Sequence, residues 1–148
     1  MIRACTLFSV VAAFFAASLK AQIKTIQTGG FKFQISTVDT TLSAAFYSSG
    51  QMPEFPGGMT GLVAFAKREL YYPQSAINED IEGGVILQYK IDKDGNVTNR
   101  GIFKSVRSDL DTVCLRMLDK MPNWKPARIS GIPVETYFKW TITFVLRN

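Results

Sequence analysis

An α+β fold of two layers, a three-stranded antiparallel sheet with two helices on one face, is the architecture this sequence predicts. Apolar residues recur at helical spacing in two segments, 59–70 and 110–121, and at every second position in three others: a pair joined by a short turn and a long one at the carboxy end. The resulting order is helix, strand, strand, helix, strand. Each element has one apolar side, and a sheet covered on one face by both helices buries all of those sides at once. At 148 residues, 47% of them apolar and 20% charged, the chain has the length and composition of one domain with a core of its own.

The first 21 residues read as a signal peptide. Arg3 supplies a positive start, Leu7 through Leu19 carry no charge, and Leu19-Lys20-Ala21 places a small residue before Gln22. The apolar run falls short of the ~20 residues of a membrane span, so export with cleavage after Ala21 is the first reading and an uncleaved anchor the second. Cys5 precedes the run, where no lipid-bearing cysteine would sit. Residues 22–52 are rich in Thr, Ser, Gly and Gln, with one alternating stretch, Phe31-Lys32-Phe33-Gln34-Ile35. They read as a linker or an extra edge strand, ahead of a domain at 53–148.

Within that domain, Pro53-Glu54-Phe55-Pro56-Gly57-Gly58 is irregular, since it combines two breakers of both helix and strand. Met59, Leu62, Val63, Ala66 and Leu70 then form the stripe of the first helix. Tyr72-Pro73 ends it, because the residue before proline is pushed out of the α region. Val85, Leu87, Tyr89 and Ile91 share one face of a strand that follows Gly83-Gly84, and Asp92-Lys93-Asp94-Gly95-Asn96 turns the chain into a second strand, Val97 to about Val106. The alternation falters near Gly101, which suggests a bulge there. Ser108 and Asp111 fit a capping box at the head of the second helix. Leu110, Val113, Cys114, Met117, Leu118 and Met121 are its stripe, and Pro122 is its stop. After the loop Pro122-Asn123-Trp124-Lys125-Pro126 and Gly131-Ile132-Pro133 comes the longest strand. It places Val134, Thr136, Phe138, Trp140, Ile142, Phe144 and Leu146 on one face, and Glu135, Tyr137, Lys139, Thr141 and Thr143 on the other.

Little in the chain points to catalysis. It has no histidine, the usual base at neutral pH and the commonest metal ligand, so no catalytic residue, metal ligand or cofactor site is expected. Cys114 lies on an apolar stripe with no base beside it in sequence and reads as a core residue. Glu79, Asp80 and Glu82 read as a solvated turn, since no calcium-ligand spacing repeats. Gly57-Gly58 lacks the pattern of a phosphate loop. With Arg3 and Lys20 in the leader, 15 basic residues stand against 12 acidic ones, scattered and without interleaved aromatics, so nucleic acid is not an expected partner. Leader removal would leave Cys114 as the lone cysteine, with no internal disulfide to form.

Five pieces of the domain resemble the TonB carboxy-terminal domain family in the form common among Bacteroidetes energy transducers. They are Met52-Pro53-Glu54-Phe55-Pro56-Gly57-Gly58; Tyr72-Pro73 with Ala76; Ile81-Glu82-Gly83; Lys93-Asp94-Gly95 with Val97; and Met121-Pro122-Asn123-Trp124-Lys125-Pro126 with Gly131 and Pro133. The resemblance implies a periplasmic, non-enzymatic module in transport across the outer membrane, gripping the TonB box at the amino end of a receptor, or a segment of another envelope protein, by β-strand addition. It makes the final strand, Glu135 to Val145, the candidate edge. Tyr137, Lys139, Thr141 and Thr143 would flank the peptide, with Glu135 at the strand's start and Tyr72-Pro73 near the groove. The alternative is that residues 22–52 cover that edge, and an open edge also allows a homodimer. A full transducer keeps an inner-membrane helix and a long proline-rich spacer. Here the leader looks cleavable, and the proline-free segment behind it reaches roughly 100 Å extended or about 30 Å as a coil. The reading is therefore a stand-alone periplasmic binding module, with a short membrane-anchored transducer second; membrane contact requires a retained leader. An enzyme or small-ligand binder on the same scaffold is a rival for which the sequence offers no catalytic constellation, and a purely structural role in the envelope is one it does not separate from peptide binding.

Overall fold

The computed structural model describes residues 23–28, 31–38 and 50–146, so the expected signal peptide, residues 1–21, lies outside the described residues. Pro53, Pro56 and Gly57 keep the chain irregular up to helix α1 (Gly58–Glu69), which Gly57 opens at φ 79°. Leu62, Phe65 and Ala66, an i, i+3, i+4 set, are its buried residues, and Leu70 just beyond its end is buried as well. The packing line is shifted from the expected stripe: Phe65 takes a core place against Phe55, with ring centroids 5.5 Å apart, while Met59 in the first turn is 40% exposed. Pro73, fixed in an extended conformation, turns the chain into the short helix α2 (Gln74–Asn78).

Strands β4 (Gly83–Ile91) and β5 (Val97–Lys104) are the expected antiparallel hairpin. Between the pairs Gln88↔Gly101 and Lys90↔Thr98, β5 carries an extra residue, so Asn99 and Arg100 together oppose Tyr89. The bulge thus falls just before Gly101, on Asn99 at φ 49°. Helix α3 (Ser108–Asp119) buries Leu110, Val113, Cys114, Met117 and Leu118. Its capping differs from the expected box. Ser108 already lies inside the helix, Arg107 holds the cap position with its carbonyl accepting the Asp111 N–H, and the Asp111 carboxylate accepts the Ser105 hydroxyl instead of a first-turn amide. Arg107 is in an extended conformation, φ −157° and ψ 149°, so the helix starts one residue earlier than expected, and the Thr112 hydroxyl donates to the Ser108 carbonyl at 2.7 Å.

The last strand, β8 (Thr136–Val145), has the expected alternation: Thr136, Trp140, Ile142 and Phe144 are buried toward the helices, while Tyr137 and Lys139 are exposed. Val134 does not belong to it. A small second sheet, in the order β3-β6-β7, is built from β3 (Gly50–Gln51), β6 (Ala127–Ile129) and β7 (Ile132–Val134), and Ser130 and Gly131 at positive φ form the two-residue turn between the last two.

The three-stranded core β8-β4-β5 is the sheet the sequence predicts, and it is continued on its β8 side. Strands β1 (Ile23–Thr28) and β2 (Phe31–Val38) form a hairpin whose second strand pairs antiparallel with β8, giving the order β1-β2-β8-β4-β5. Helix α3 lies against β4 and β5, and α1 against α3 and β1, so the described helices and the hairpin share one layered body. Trp140, Phe144, Leu87, Ile91, Leu110 and Met117 are among the side chains fully withdrawn from water at its centre. Among the described residues no helix is long and apolar enough to cross a membrane.

Candidate partner-binding strand

The residues singled out from the sequence fall on two sides of the sheet. Tyr137, Lys139, Thr141 and Thr143 alternate with the core residues of β8 and therefore point to the face away from the helices. Glu135, one residue before β8, accepts from Lys90 of β4 at 3.0 Å, and the Lys90 ammonium lies 5.9 Å from the centre of the Tyr137 ring. The hydrogen bond to Glu135 raises the pKa of Lys90 above the usual lysine range. Further along, the Lys139 ammonium stands 3.6 Å over the ring of Phe103, a β5 side chain that is 55% exposed. Thr141 and Thr143 then flank Gly84, where an added Cβ would lie 3.3 Å from the Thr141 methyl. The outer face of β8 thus runs from two cations beside aromatic rings to small hydroxyls.

Tyr72 and Pro73 stand on the other side. Tyr72 is buried, its hydroxyl donates to the Ile81 carbonyl at 2.6 Å, and its ring meets Phe144 edge-on at 5.4 Å. Burial, with the nearby Glu82 carboxylate second, raises its phenol pKa. Glu82 in turn accepts the backbone N–H of Leu146, and Gly83 pairs with Phe144. Tyr72, Ile81, Glu82 and Gly83 therefore brace the carboxy end of β8 from the helix side and do not meet Tyr137 through Thr143. From the sequence Glu82 is one of three turn carboxylates and part of the Ile81-Glu82-Gly83 piece of the resemblance, with no contact assigned to it. Its position directly before the strand-opening Gly83 was the available signal. The other members diverge from it, Glu79 to Arg107 at 2.9 Å, and among the described residues no group of acidic, cysteine or histidine side chains is placed to hold a metal ion.

The outer side of β8 is occupied along most of its length. Strand β2 pairs with it from Lys32↔Val145 through Gln34↔Thr143 and Ser36↔Thr141 to Val38↔Lys139, while β4 pairs with the opposite side from Ile91↔Thr136 to Gly83↔Phe144. The last strand is thus interior to the sheet, because residues 31–38 fold back onto the side that the sequence left open. Cys114, meanwhile, is fully buried, and burial with Asp111 nearby pushes its thiol far above the usual range, the opposite of an activated nucleophile.

Residues 68–146 match the family described as the Gram-negative bacterial TonB protein C-terminal, a span that takes in α2, β4, β5, α3 and β8 and leaves the β1–β2 hairpin outside. No curated protein and no solved structure matches the chain. Since the matched residues make up more than half of the chain and build the three-stranded core with its braced last strand, the chain belongs to the TonB C-terminal family, non-catalytic domains of TonB-dependent energy transduction at the cell envelope that bind the TonB boxes of outer-membrane receptors.

Proposed function

We propose that this domain works in the periplasm as a peptide-binding module, taking the TonB box of an outer-membrane receptor, or an extended segment of another envelope protein, as an added strand beside β8. The observation that carries this reading is the receptivity of β8 on the side away from β4: a strand in antiparallel register already pairs there over seven residues. Backbone groups of β8 would supply the affinity, and alternate side chains the selectivity. Tyr137, Lys139, Thr141 and Thr143 flank the added strand on the open face, Glu135 marks its start, and Tyr72-Pro73 supports β8 from behind. With Lys90 and Lys139 on that face, an acidic residue in the peptide is favoured.

Titration of the isotope-labelled protein with a synthetic TonB-box peptide tests this reading. Saturable shifts of the amides of residues 137–145 are expected, and no saturable binding at millimolar peptide sinks it. Export with cleavage after Ala21 belongs to the same proposal, supported by the leader pattern. Mass spectrometry of the protein from its native envelope is expected to find Gln22 at the amino end, whereas an intact Met1 in the inner-membrane fraction favours the anchored transducer instead.

A further inference from the structure

We propose that the β1–β2 hairpin is a built-in occupant of the partner site, so that a partner strand binds β8 only by displacing residues 31–38, and that those residues are a template for the partner's chemistry. This inference rests on the reading of β8 as the peptide-receiving strand. Three observations carry it. Strand β2 lies on the side of β8 that an added peptide requires, with seven register pairs from Lys32↔Val145 to Val38↔Lys139. A second strand cannot pair with the same backbone groups, because each N–H and C=O on that side serves one ladder. The hairpin also lies outside the residues that match the family, which begin at residue 68.

The register indicates what displaces it. Phe33 stands opposite Phe144 and Ile35 opposite Ile142, whereas Gln34 and Ser36 stand opposite Thr143 and Thr141. In an antiparallel pair, directly opposed residues share a face. By register, the apolar positions of the segment are therefore opposite core residues of β8 and its polar positions opposite the open-face threonines. A partner that replaces it is an extended peptide with large apolar residues at every second position and small or polar residues between them. The hairpin competes from within the same chain, at an effective concentration in the millimolar range for a short tether. If it is docked in about nine molecules of ten, the apparent affinity for any free peptide is lowered about tenfold.

The test compares three forms of the mature full-length chain: the wild type; an opened form, Gln34→Pro with Ile35→Pro, whose adjacent prolines remove a ladder donor whichever of the two faces β8; and a locked form, Lys32→Cys with Val145→Cys, whose directly opposed positions fall within the usual Cα range for a disulfide. The probes are a labelled synthetic peptide of the chain's own residues 31–38 and a synthetic TonB-box peptide. The opened form is expected to bind the 31–38 peptide about tenfold or more tightly than the wild type. The oxidised locked form is expected not to bind it, and reduction is expected to restore wild-type binding. Equal binding by all three forms, or no binding of the 31–38 peptide by the opened form, overturns the inference. Should the opened form prove misfolded, the locked form before and after reduction decides alone. The two readings separate cleanly. If the 31–38 peptide follows the expected order and the TonB-box peptide binds none of the forms, the receptor-peptide reading fails and the occupancy stands. If the TonB-box peptide binds all three forms equally, the occupancy fails and the receptor-peptide reading stands.

Discussion

Gly95 shows how one residue ties two distant pieces of sequence together. It sits in the β4–β5 turn at φ 88°, its carbonyl accepts the Trp124 N–H at 2.8 Å, and a Cβ placed on it would lie 1.9 Å from the Trp124 carbonyl oxygen. Both the backbone angle and the close approach exclude a side chain, so Gly95→Ala is expected to lower the unfolding free energy by at least about 2 kcal/mol, measured by urea denaturation. Loss of less than that would mean the turn moves freely away from the Trp124 loop. Beside it, Asp92 accepts from the side chain of Asn96 and from the backbone N–H groups of Asp94 and Asn96, and these bonds hold its pKa below the ordinary carboxylate value. Asp109, held by Ser75, and Glu69, held by Lys120, are shifted the same way. A carboxylate with a depressed folded-state pKa contributes stability that is complete above its unfolded value and is lost as the pH falls through the folded one. The urea midpoint is therefore expected to drop progressively as the pH falls below about 5, and Asp92→Asn to remove part of that drop. An unchanged pH slope in that variant would rule out the turn as a site of acid sensitivity.

At the scale of the element, α3 was the most legible piece of the chain. Its stripe of Leu110, Val113, Cys114, Met117 and Leu118 is buried as the 3.6-residue period dictates, because a helix with one apolar face has one way to lie on a sheet. Its cap was less legible, since the helix begins at Ser108 with Arg107 at the cap position, and the boundary of a helix is fixed by the backbone angle there and not by the residue type alone. Two predictions belong here. Met117→Ala leaves a hole at a fully buried position and is expected to cost about 2–5 kcal/mol of stability, read from denaturant unfolding with an unchanged m-value. Cys114, in the same stripe, is expected to resist a thiol reagent in the native protein and to react as soon as urea unfolds the chain. Fast labelling of the native form would show that α3 opens far more readily than its burial implies. For β8, the alternation told which side chains face the helices, but a period of two says nothing about which neighbours the backbone takes. Its pairing with β4 followed from the hairpin, whereas its pairing with β2 did not.

At the scale of the whole molecule, the arrangement joins the family-matched core to a hairpin that precedes it in the chain. The TonB C-terminal part carries the core and the braced last strand. The hairpin turns an edge into the middle of a five-stranded sheet, which removes a row of open backbone groups that would otherwise invite pairing with a second copy. The proposed partner site and the protected edge are the same strand, and the displacement experiment above is the prediction that belongs to this level. Tyr72, Ile81, Glu82 and Gly83 gather at the carboxy end of β8, where they hold the strand in place whichever partner lies on its outer side.

The sequence by itself determined the two long helices, the β4–β5 hairpin, the alternation of β8 and the family, because periodicity, turn residues and the spacing of glycines and prolines are local properties that survive any arrangement of the elements. It also named the residues on the outer face of β8, since alternation assigns them once the core side is known. Only the tertiary structure decided that Tyr72 stands behind β8 and not beside Tyr137, that Glu82 closes the strand's end, and that residues 31–38 lie along its outer side. Those are contacts between segments far apart in the chain, and β-pairing joins backbone groups common to every residue, so an alternating strand does not announce its neighbour.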